Sequence, residues 1–219
     1  MARIGLILSG CGVMDGSEIH ESVAAILALD RAGAEIVYMA PNGPQMHTIN
    51  HVTGDVAGDE RNILIEASRI SRGPIEDVAK VAAADLDALV IPGGYGAAKN
   101  LCDFATKGAD CQAQPDVARL IKEMHGSGKP IGAMCIAPAL VARVLGRETD
   151  GLELTVGNDA GTAGALEKLG ARHVEKGVRE AHVDTKNKVV STPAYMLAQR
   201  PSEAADGIQQ LVQEVLRLA

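Results

Sequence analysis

Aromatic residues are scarce in this sequence, which has no Trp, one Phe and three Tyr among its 219 residues. A core must therefore be packed from aliphatic side chains. Hydrophobic residues make up 47% of the chain and charged residues 22%, proportions that exclude a disordered protein and allow a sizeable core. An aliphatic core of this kind suits a parallel sheet that is buried on both faces. We expect a single domain over residues 1–219.

Runs of cationic residues and long apolar runs are also absent. The net charge is −7 and no cluster of Lys and Arg could follow a phosphate backbone, so nucleic acid is not an expected partner. No apolar stretch is long enough to span a bilayer, and the run from Ile4 to Leu8 is too short for a signal peptide. We therefore expect no membrane partner and no secretion.

Paired metal ligands and a dinucleotide-binding turn are missing as well. The four cysteines are irregularly spaced with no CxxC pair, which indicates neither a disulfide framework nor a zinc site; they are Cys11, Cys102, Cys111 and Cys135. None of the six histidines stands next to a cysteine in the sequence. The glycines around Cys11 lack the spacing of a dinucleotide fingerprint. We expect no metal, no cofactor and a reducing compartment, taken to be the cytoplasm.

What the sequence does contain is a regular alternation of strand and helix patterns. Strands are predicted at residues 2–8, 35–40, 86–91, 131–134 and 152–156 and near 173 and 189; helices are predicted from a cap at Ser17 to about Gly33, over 61–70, 115–126, 138–145 and 162–169, and after a cap at Ser202. Residues 41–59 show no period and are predicted to be a long loop insertion with a small hairpin around Val52. The alternation predicts an α/β fold: a doubly wound, mostly parallel sheet with helices on both faces.

The strongest local motif surrounds Cys135. An apolar strand runs directly into a helix whose first turn holds Pro138, so that Cys135 lies on the connecting elbow. Dipoles and free N–H groups at a helix N-terminus favour thiolate over thiol and would lower the pKa of this cysteine. The elbow lies at the carboxyl end of a strand, where doubly wound sheets bind ligands. The alternative interpretation is an inert, buried thiol.

Two further motifs could assist such a thiol. Gly93 and Gly94 end another central strand, and the N–H of Gly94, together with that of Ile136, could form an oxyanion hole. Glu18 and Glu21 share a face of the first helix, beside the turn after strand one, where a carboxyl could shuttle protons. Each has a simpler interpretation, a strand-ending turn for the glycines and a solvated helix face for the glutamates.

Two weaker candidates are Cys11 and His51. Cys11 follows strand one and could act as a resolving thiol for Cys135, although a packed small residue is the simpler interpretation. His51, in the long loop, could reach the pocket, but a surface histidine is the simpler interpretation.

Taken in chain order, these motifs resemble the PfpI-like superfamily, a flavodoxin-like group related to class I glutamine amidotransferases, and within it the enhancing-lycopene-biosynthesis (ElbB-type) branch. The residues that carry the resemblance are Leu8-Ser9-Gly10-Cys11-Gly12-Val13, Asp15-Gly16-Ser17-Glu18-Ile19-His20-Glu21, Asn50-His51, Gly93-Gly94-Tyr95-Gly96-Ala97-Ala98-Lys99-Asn100, Met134-Cys135-Ile136-Ala137-Pro138 and Thr192-Pro193-Ala194-Tyr195-Met196. The resemblance covers essentially the whole chain.

The resemblance implies a function and a site. It implies a glutathione-independent glyoxalase that converts glyoxal or methylglyoxal to a hydroxy acid without a cofactor, with Cys135 as the nucleophile and Glu21 as its hydrogen-bonded carboxyl. It also implies a homodimer and, through the family name, a link to isoprenoid biosynthesis. Ile136 stands where the protease-like branch has His, and Thr192-Pro193-Ala194 replaces the His-Pro-Glu of the amidotransferases, which disfavours both of those activities.

The missing histidine and the additional thiol of Cys11 leave a second function open. The chain could be a non-enzymatic redox-sensing or regulatory protein that uses the same Cys135.

Overall fold

The computed structural model describes all 219 residues and contains a seven-stranded sheet with the strand order β3-β2-β1-β4-β5-β9-β8. Every pairing in this sheet is parallel except that between β8 and β9. Strands β6 and β7 form a separate parallel pair. The strands are β1 (Arg3–Ile7), β2 (Glu35–Ala40), β3 (Glu76–Asp77), β4 (Ala88–Ile91), β5 (Ile131–Met134), β6 (Glu153–Leu154), β7 (Arg172–His173), β8 (His182–Asp184) and β9 (Val189–Thr192).

Eight helices accompany the sheet: α1 (Ile19–Arg31), α2 (Ile63–Ser71), α3 (Tyr95–Lys99), α4 (Phe104–Lys107), α5 (Pro115–Gly126), α6 (Ala137–Leu145), α7 (Ala160–Lys168) and α8 (Pro201–Leu218). One core packs α1, α2 and α8 against the first face of the sheet, and a second core packs α5, α6 and α7 against the other. Among the central strands the order β2-β1-β4-β5-β9 is that of flavodoxin-like folds. The predicted flavodoxin-like, doubly wound architecture is confirmed.

The apolar periods of the sequence place the six longer helices correctly but do not predict the short helices α3 and α4, and two predicted caps are wrong. Ser17 does not cap α1: its hydroxyl accepts a hydrogen bond from the N–H of Ser9 at 2.8 Å, while Glu18 caps the helix by accepting from the N–H of Glu21 at 2.6 Å. The last helix begins at Pro201 instead of after Ser202, because proline suits the first helical position, where no N–H is needed.

The sheet edges depart most from the predicted strands. The edge strands β3 and β8 are only two and three residues long and have no apolar run. The segments predicted around residues 152–156 and 173 are shorter than expected and pair only with each other. Short edge strands bury little apolar surface, so the sequence carries little signal for them.

The segment between β2 and α2 contains the expected small hairpin, since Ile49 and Val56 form an antiparallel bridge. Side chains from the first loop hold this segment in place: the carboxylate of Asp15 accepts from the N–H of Ile49 at 2.7 Å, and Nε2 of His51 accepts from the N–H of Met14 at 3.1 Å. The long insertion is therefore fixed beside the carboxyl end of β1.

Candidate functional site

Cys135 occupies the turn between β5 and α6 in a left-handed backbone conformation, with φ of +59°. This conformation is unfavourable for a residue with a Cβ and persists only where the surrounding structure holds it. Here the N–H of Cys135 donates to the carbonyl of Thr192 at 3.0 Å, which ties the turn to the end of β9. The residue is 8% exposed. The predicted strand-to-helix elbow is present.

Glu21 lies in the first turn of α1 and is fully buried, with 0% exposure. Both of its carboxylate oxygens accept backbone hydrogen bonds: one from the N–H of Gly93 at 2.9 Å, the other from the N–H of Tyr195 at 3.1 Å. Its carboxyl also lies beside the thiol of Cys135, and each group shifts the pKa of the other. Three separate parts of the chain therefore hold this carboxyl against the sulfur.

Gly93 makes the contact between carboxyl and thiol possible because it has no side chain. A Cβ built at this position would lie 2.4 Å from Cβ of Cys135, 2.8 Å from Oε2 of Glu21 and 2.9 Å from the Cys135 sulfur. These separations are far shorter than van der Waals contacts. The neighbouring Gly94 has φ of +87°, which also favours glycine.

The thiol and the carboxyl shift each other's protonation. Burial raises the pKa of Glu21 to about 7, and the charge of Glu18 adds to the rise, while the N–H groups of Tyr195 and Gly93 oppose it. Burial, followed by the charge of Glu21, raises the pKa of Cys135 well above its usual range. The expectation that the elbow alone lowers the pKa of Cys135 is therefore wrong, because removal from water outweighs the backbone N–H groups.

Two backbone N–H groups face the sulfur and partly offset the rise in the pKa of Cys135. Those of Gly94 and Ile136 lie near the Cys135 thiol and favour its thiolate, and hence oppose the rise of its pKa. They are the two groups that the sequence suggested for an oxyanion hole. The structure brings both to the reactive atom, one from the end of β4 and the other from the start of α6.

The sulfur opens onto a cavity of about 310 Å³ with a mainly apolar lining, a size suited to a small ligand. The hydroxyl of Tyr195 is hydrogen-bonded to Nδ1 of His20 at 2.8 Å. The lining residues are Val13, Glu18, Gly94, Tyr95, Cys135, Ile136, Thr162, Tyr195 and Met196. The cavity thus combines one nucleophile with polar groups from both ends of the chain.

Residues 11–199 of this chain match the DJ-1/PfpI family. The chain belongs to that family. The resemblance to the PfpI-like superfamily is thereby confirmed.

No group of three or more His, Cys, Asp and Glu side chains able to hold a metal ion lies together in this DJ-1/PfpI protein. No helix combines the length and the apolar character needed to cross a bilayer.

Individual relatives of this DJ-1/PfpI protein cover nearly all of it. The chain is 51% identical to the human "Glutamine amidotransferase-like class 1 domain-containing protein 3, mitochondrial" and 50% identical to the rat "ES1 protein homolog, mitochondrial"; both matches cover 99% of the chain, and 83% and 84% of the relatives. A crystal structure from Ehrlichia chaffeensis, described as an isoprenoid biosynthesis protein with an amidotransferase-like domain, superposes with a TM-score of 0.92 at 34% identity, covering 99% of this chain and 100% of the other.

The names of these relatives correct one expectation. The mammalian relatives are named as mitochondrial proteins, which contradicts the cytoplasmic location inferred from the sequence. That inference rested on free thiols and on the lack of a secretory signal. Neither property distinguishes the cytoplasm from another reducing compartment, so composition could not decide the question.

The auxiliary candidates take different positions in the DJ-1/PfpI fold. Glu18 lines the cavity, but its carboxylate is engaged as the cap of α1. Cys11 does not line the cavity, and burial beside the charges of Glu66 and Asp15 raises the pKa of its thiol. His51 holds the long loop instead of facing the ligand space. The structure therefore brings Glu18 to the site and leaves the other two outside it.

Sequence reasoning missed the contribution of Tyr195 and His20. Tyr195 supplies a backbone N–H to Glu21 and a hydroxyl to the cavity, yet it lies 174 residues from Glu21. His20 was considered only as a metal ligand. The one available signal was the Thr192-Pro193-Ala194-Tyr195-Met196 segment, which contributed to the family resemblance without indicating any chemistry.

Proposed function

We propose that this protein is a cofactor-independent glyoxalase of the ElbB-type branch that converts glyoxal or methylglyoxal to glycolate or lactate. The observation that carries the proposal is the contact between the Cys135 thiol and the buried Glu21 carboxyl, whose pKa is raised to about 7 by burial. A carboxyl with a pKa near neutrality exchanges protons most effectively at that pH. A nucleophile paired with such a base is the minimum that attack on an aldehyde needs.

In the first step Glu21 accepts the thiol proton as the sulfur of Cys135 attacks the aldehyde carbon. The new carbon–sulfur bond gives a hemithioacetal, and the carbonyl oxygen takes up the electron pair of its former double bond. The N–H groups of Gly94 and Ile136, which face the sulfur, are placed to stabilise this oxyanion. Because its raised pKa keeps the free Cys135 thiol protonated, the thiol must be activated by a general base at the moment of attack.

Glu21 next gives the thiol proton to the oxyanion, which becomes the hemithioacetal hydroxyl. The freed carboxylate of Glu21 then moves a proton from the attacked carbon to its neighbour, and the hydroxyl proton passes to the second substrate oxygen. The first carbon is thereby oxidised to a thioester and the second is reduced to an alcohol, so the substrate supplies both halves of the redox change and no external oxidant or reductant is consumed. Water then cleaves the thioester, which releases the hydroxy acid and returns the proton to the thiol. Tyr195, whose hydroxyl is bonded to His20, lies in the cavity where it can bind the second substrate oxygen.

The assignment to the ElbB-type branch draws on the Ehrlichia structure as well as on the motifs. That protein is described as an isoprenoid biosynthesis protein, and it shares the fold over the whole chain. We extend the link with isoprenoid biosynthesis to the present protein as part of this proposal.

Incubation of the purified protein with glyoxal, followed by chromatographic measurement of glycolate, tests the proposal. We expect turnover by the wild type, none by Cys135→Ala and unchanged turnover by Cys11→Ala, since Cys11 does not line the cavity. Glycolate formation that does not exceed that of the Cys135→Ala protein would refute the proposed activity.

A further inference from the structure

Two thiols outside the catalytic cavity lie in contact with each other. Cys102 follows α3, and Cys111 precedes α5, in a segment that folds back on itself so that Cys102 and Ala113 form an antiparallel bridge. Cys111 is extended and stands two residues before Ala113, which places it on the same side of its strand and diagonal to Cys102. The two thiols lie close enough for each to shift the pKa of the other.

Both thiols are free and shielded, with exposures of 4% for Cys102 and 0% for Cys111. The Cys102 sulfur also donates to the carbonyl of Ala97 at 3.3 Å. Two reduced sulfurs held together in this way need little movement to form a bond, provided that an oxidant reaches one of them.

The surroundings of the pair favour Cys111 as the more reactive thiol. The adjacent Cys102 thiol and the nearby guanidinium of Arg143 lower the pKa of Cys111, and burial opposes them. The adjacent Cys111 thiol, followed by burial, raises the pKa of Cys102, so the proton stays on that sulfur. Nε of Arg143 also donates to the Cys111 carbonyl at 2.5 Å, which fixes the cation beside the thiol.

A small depression in the surface borders Cys111. It has a volume of about 160 Å³, and Cys111, Arg143 and Arg147 are among its lining residues. The space suits a molecule of a few atoms, and its cationic side chains favour a polar oxidant over an apolar one.

We propose that Cys102 and Cys111 form an oxidation site for small hydroperoxides, in which Cys111 is the attacking thiol and Cys102 the resolving thiol. The site is separate from the Cys135 cavity and does not depend on the activity proposed above. Cys11, the sequence-based candidate for a resolving thiol, is not part of it.

The chemistry balances with hydrogen peroxide as the only co-reactant. The Cys111 thiolate attacks one peroxide oxygen, the O–O bond breaks, and the released hydroxide takes a proton to become water, leaving a sulfenic acid. The Cys102 sulfur then attacks the sulfenic sulfur, the S–S bond forms, and a second water leaves with the Cys102 proton. The two thiols lose two electrons and two protons, and one peroxide is reduced to two waters.

Peptide mapping under non-reducing conditions tests the proposal on the wild-type chain. The protein is treated with a modest excess of hydrogen peroxide, quenched with N-ethylmaleimide in urea and digested. We expect a peptide pair joined by Cys102 and Cys111, lighter than its reduced form by two hydrogens and released by dithiothreitol. Recovery of both cysteines as maleimide adducts under conditions that oxidise Cys135, or cross-links joining other cysteine pairs, would overturn the proposal.

Three variants separate the roles within the pair. Cys102→Ala is expected to abolish the cross-link and to leave added oxygen on Cys111. Arg143→Gln is expected to slow cross-linking about fivefold, because loss of the cation disfavours the Cys111 thiolate. Cys11→Ala is the matched control and is expected to cross-link at the wild-type rate. Proteins that keep only one cysteine of the pair can also be compared. If oxygen were added to Cys102 instead of Cys111, the assigned roles would be reversed and the proposal contradicted.

Discussion

The carboxyl of Glu21 lies against the thiol of Cys135, and both groups are removed from water. Two adjacent buried groups of this kind cannot both be ionised at low cost, so gain of charge by one suppresses it in the other. The pair therefore exchanges one proton near neutral pH. This arrangement makes Glu21 a proton acceptor at the moment of attack instead of a neighbour of a permanent thiolate.

At the same scale, Gly93→Ala tests the close approach of the two groups. Its new Cβ would lie 2.4 Å from Cβ of Cys135, so the elbow or α1 must move. We expect glyoxalase kcat/KM to fall about 100-fold or more, because a displacement of about 1 Å between reacting groups lowers the rate of other enzymes by about that factor. Gly164→Ala in α7 is the control, since a Cβ there meets nothing within 4 Å; it is expected to retain full activity. Full activity in the Gly93→Ala protein would argue against the described packing.

The hydroxyl of Tyr195 gives a second test at the residue scale. Tyr195→Phe removes one neutral hydrogen-bonding group from the cavity while leaving the backbone N–H that binds Glu21. We expect kcat/KM to fall about fivefold, corresponding to about 1 kcal/mol for one hydrogen bond. Tyr38→Phe in β2, outside the cavity, is the matched control and should have no effect. An equal effect of both substitutions would exclude a role for the Tyr195 hydroxyl.

At the scale of elements, α8 packs unusually close to β5 because that strand contains Gly132. A Cβ on Gly132 would lie 2.8 Å from Cδ2 of Leu211 and 2.9 Å from Cγ2 of Val215. The strand that ends at Cys135 is therefore supported from one side by the last helix of the chain.

Leu211→Ala is expected to destabilise the protein by about 2–5 kcal/mol, the usual cost of a large-to-small change in a packed core. Leu211 is fully buried in the core that contains α8. Urea unfolding measures the change, and the exposed Gln213 on the same helix gives the control, with Gln213→Ala expected to stay within about 0.5 kcal/mol of the wild type. A similar loss in both variants would show that the helix is not held by this contact.

Elements with a strong apolar period were predictable from sequence, and elements that bury little were not. The stripe of α5 (Val117, Leu120, Ile121 and Met124) is fully buried as its spacing predicts. Strand β8 is only three residues long and mostly half-buried, whereas its partner β9 is fully buried, so the sequence of β8 carries little apolar signal. Caps were misassigned where a nearby residue offered a better acceptor, as Glu18 does beside Ser17.

At the scale of the molecule, the raised pKa of Glu21 makes stability depend on pH. The folded protein holds the Glu21 proton up to about pH 7, whereas the usual value for Glu is 4.5, so this contribution to stability is complete below 4.5 and is lost as the pH rises to 7. For a fully buried group the difference is about 3 kcal/mol. We expect the free energy of unfolding to fall between pH 4 and 8 by about this amount more in the wild type than in Glu21→Gln, as measured in urea. Parallel pH profiles of the two proteins would contradict the raised pKa.

The homodimer implied by the family resemblance stays a prediction. Light scattering combined with gel filtration is expected to give twice the mass of the chain. A mass equal to that of one chain would contradict it.

The candidate site was only partly predictable because it is assembled from distant segments. The sequence indicated Cys135, Gly93 and Gly94 because each belongs to a local motif, and it indicated Glu21 through the family resemblance. It did not indicate that Tyr195 would bind Glu21, since that contact depends on how the segment after β9 folds over α1. The direction of the Cys135 pKa was missed for a related reason, as burial is a property of the whole fold.

The central claim is that Glu21 accepts the proton of Cys135, and the pH dependence of Cys135 alkylation tests it most directly. Iodoacetamide labelling of Cys135 is followed by peptide mass spectrometry in the wild type and in Glu21→Gln. We predict a wild-type rate that rises with a midpoint near the Glu21 pKa of about 7, and a midpoint in the variant at or above that of a free cysteine, about 8.5. The same midpoint in both proteins would contradict the account.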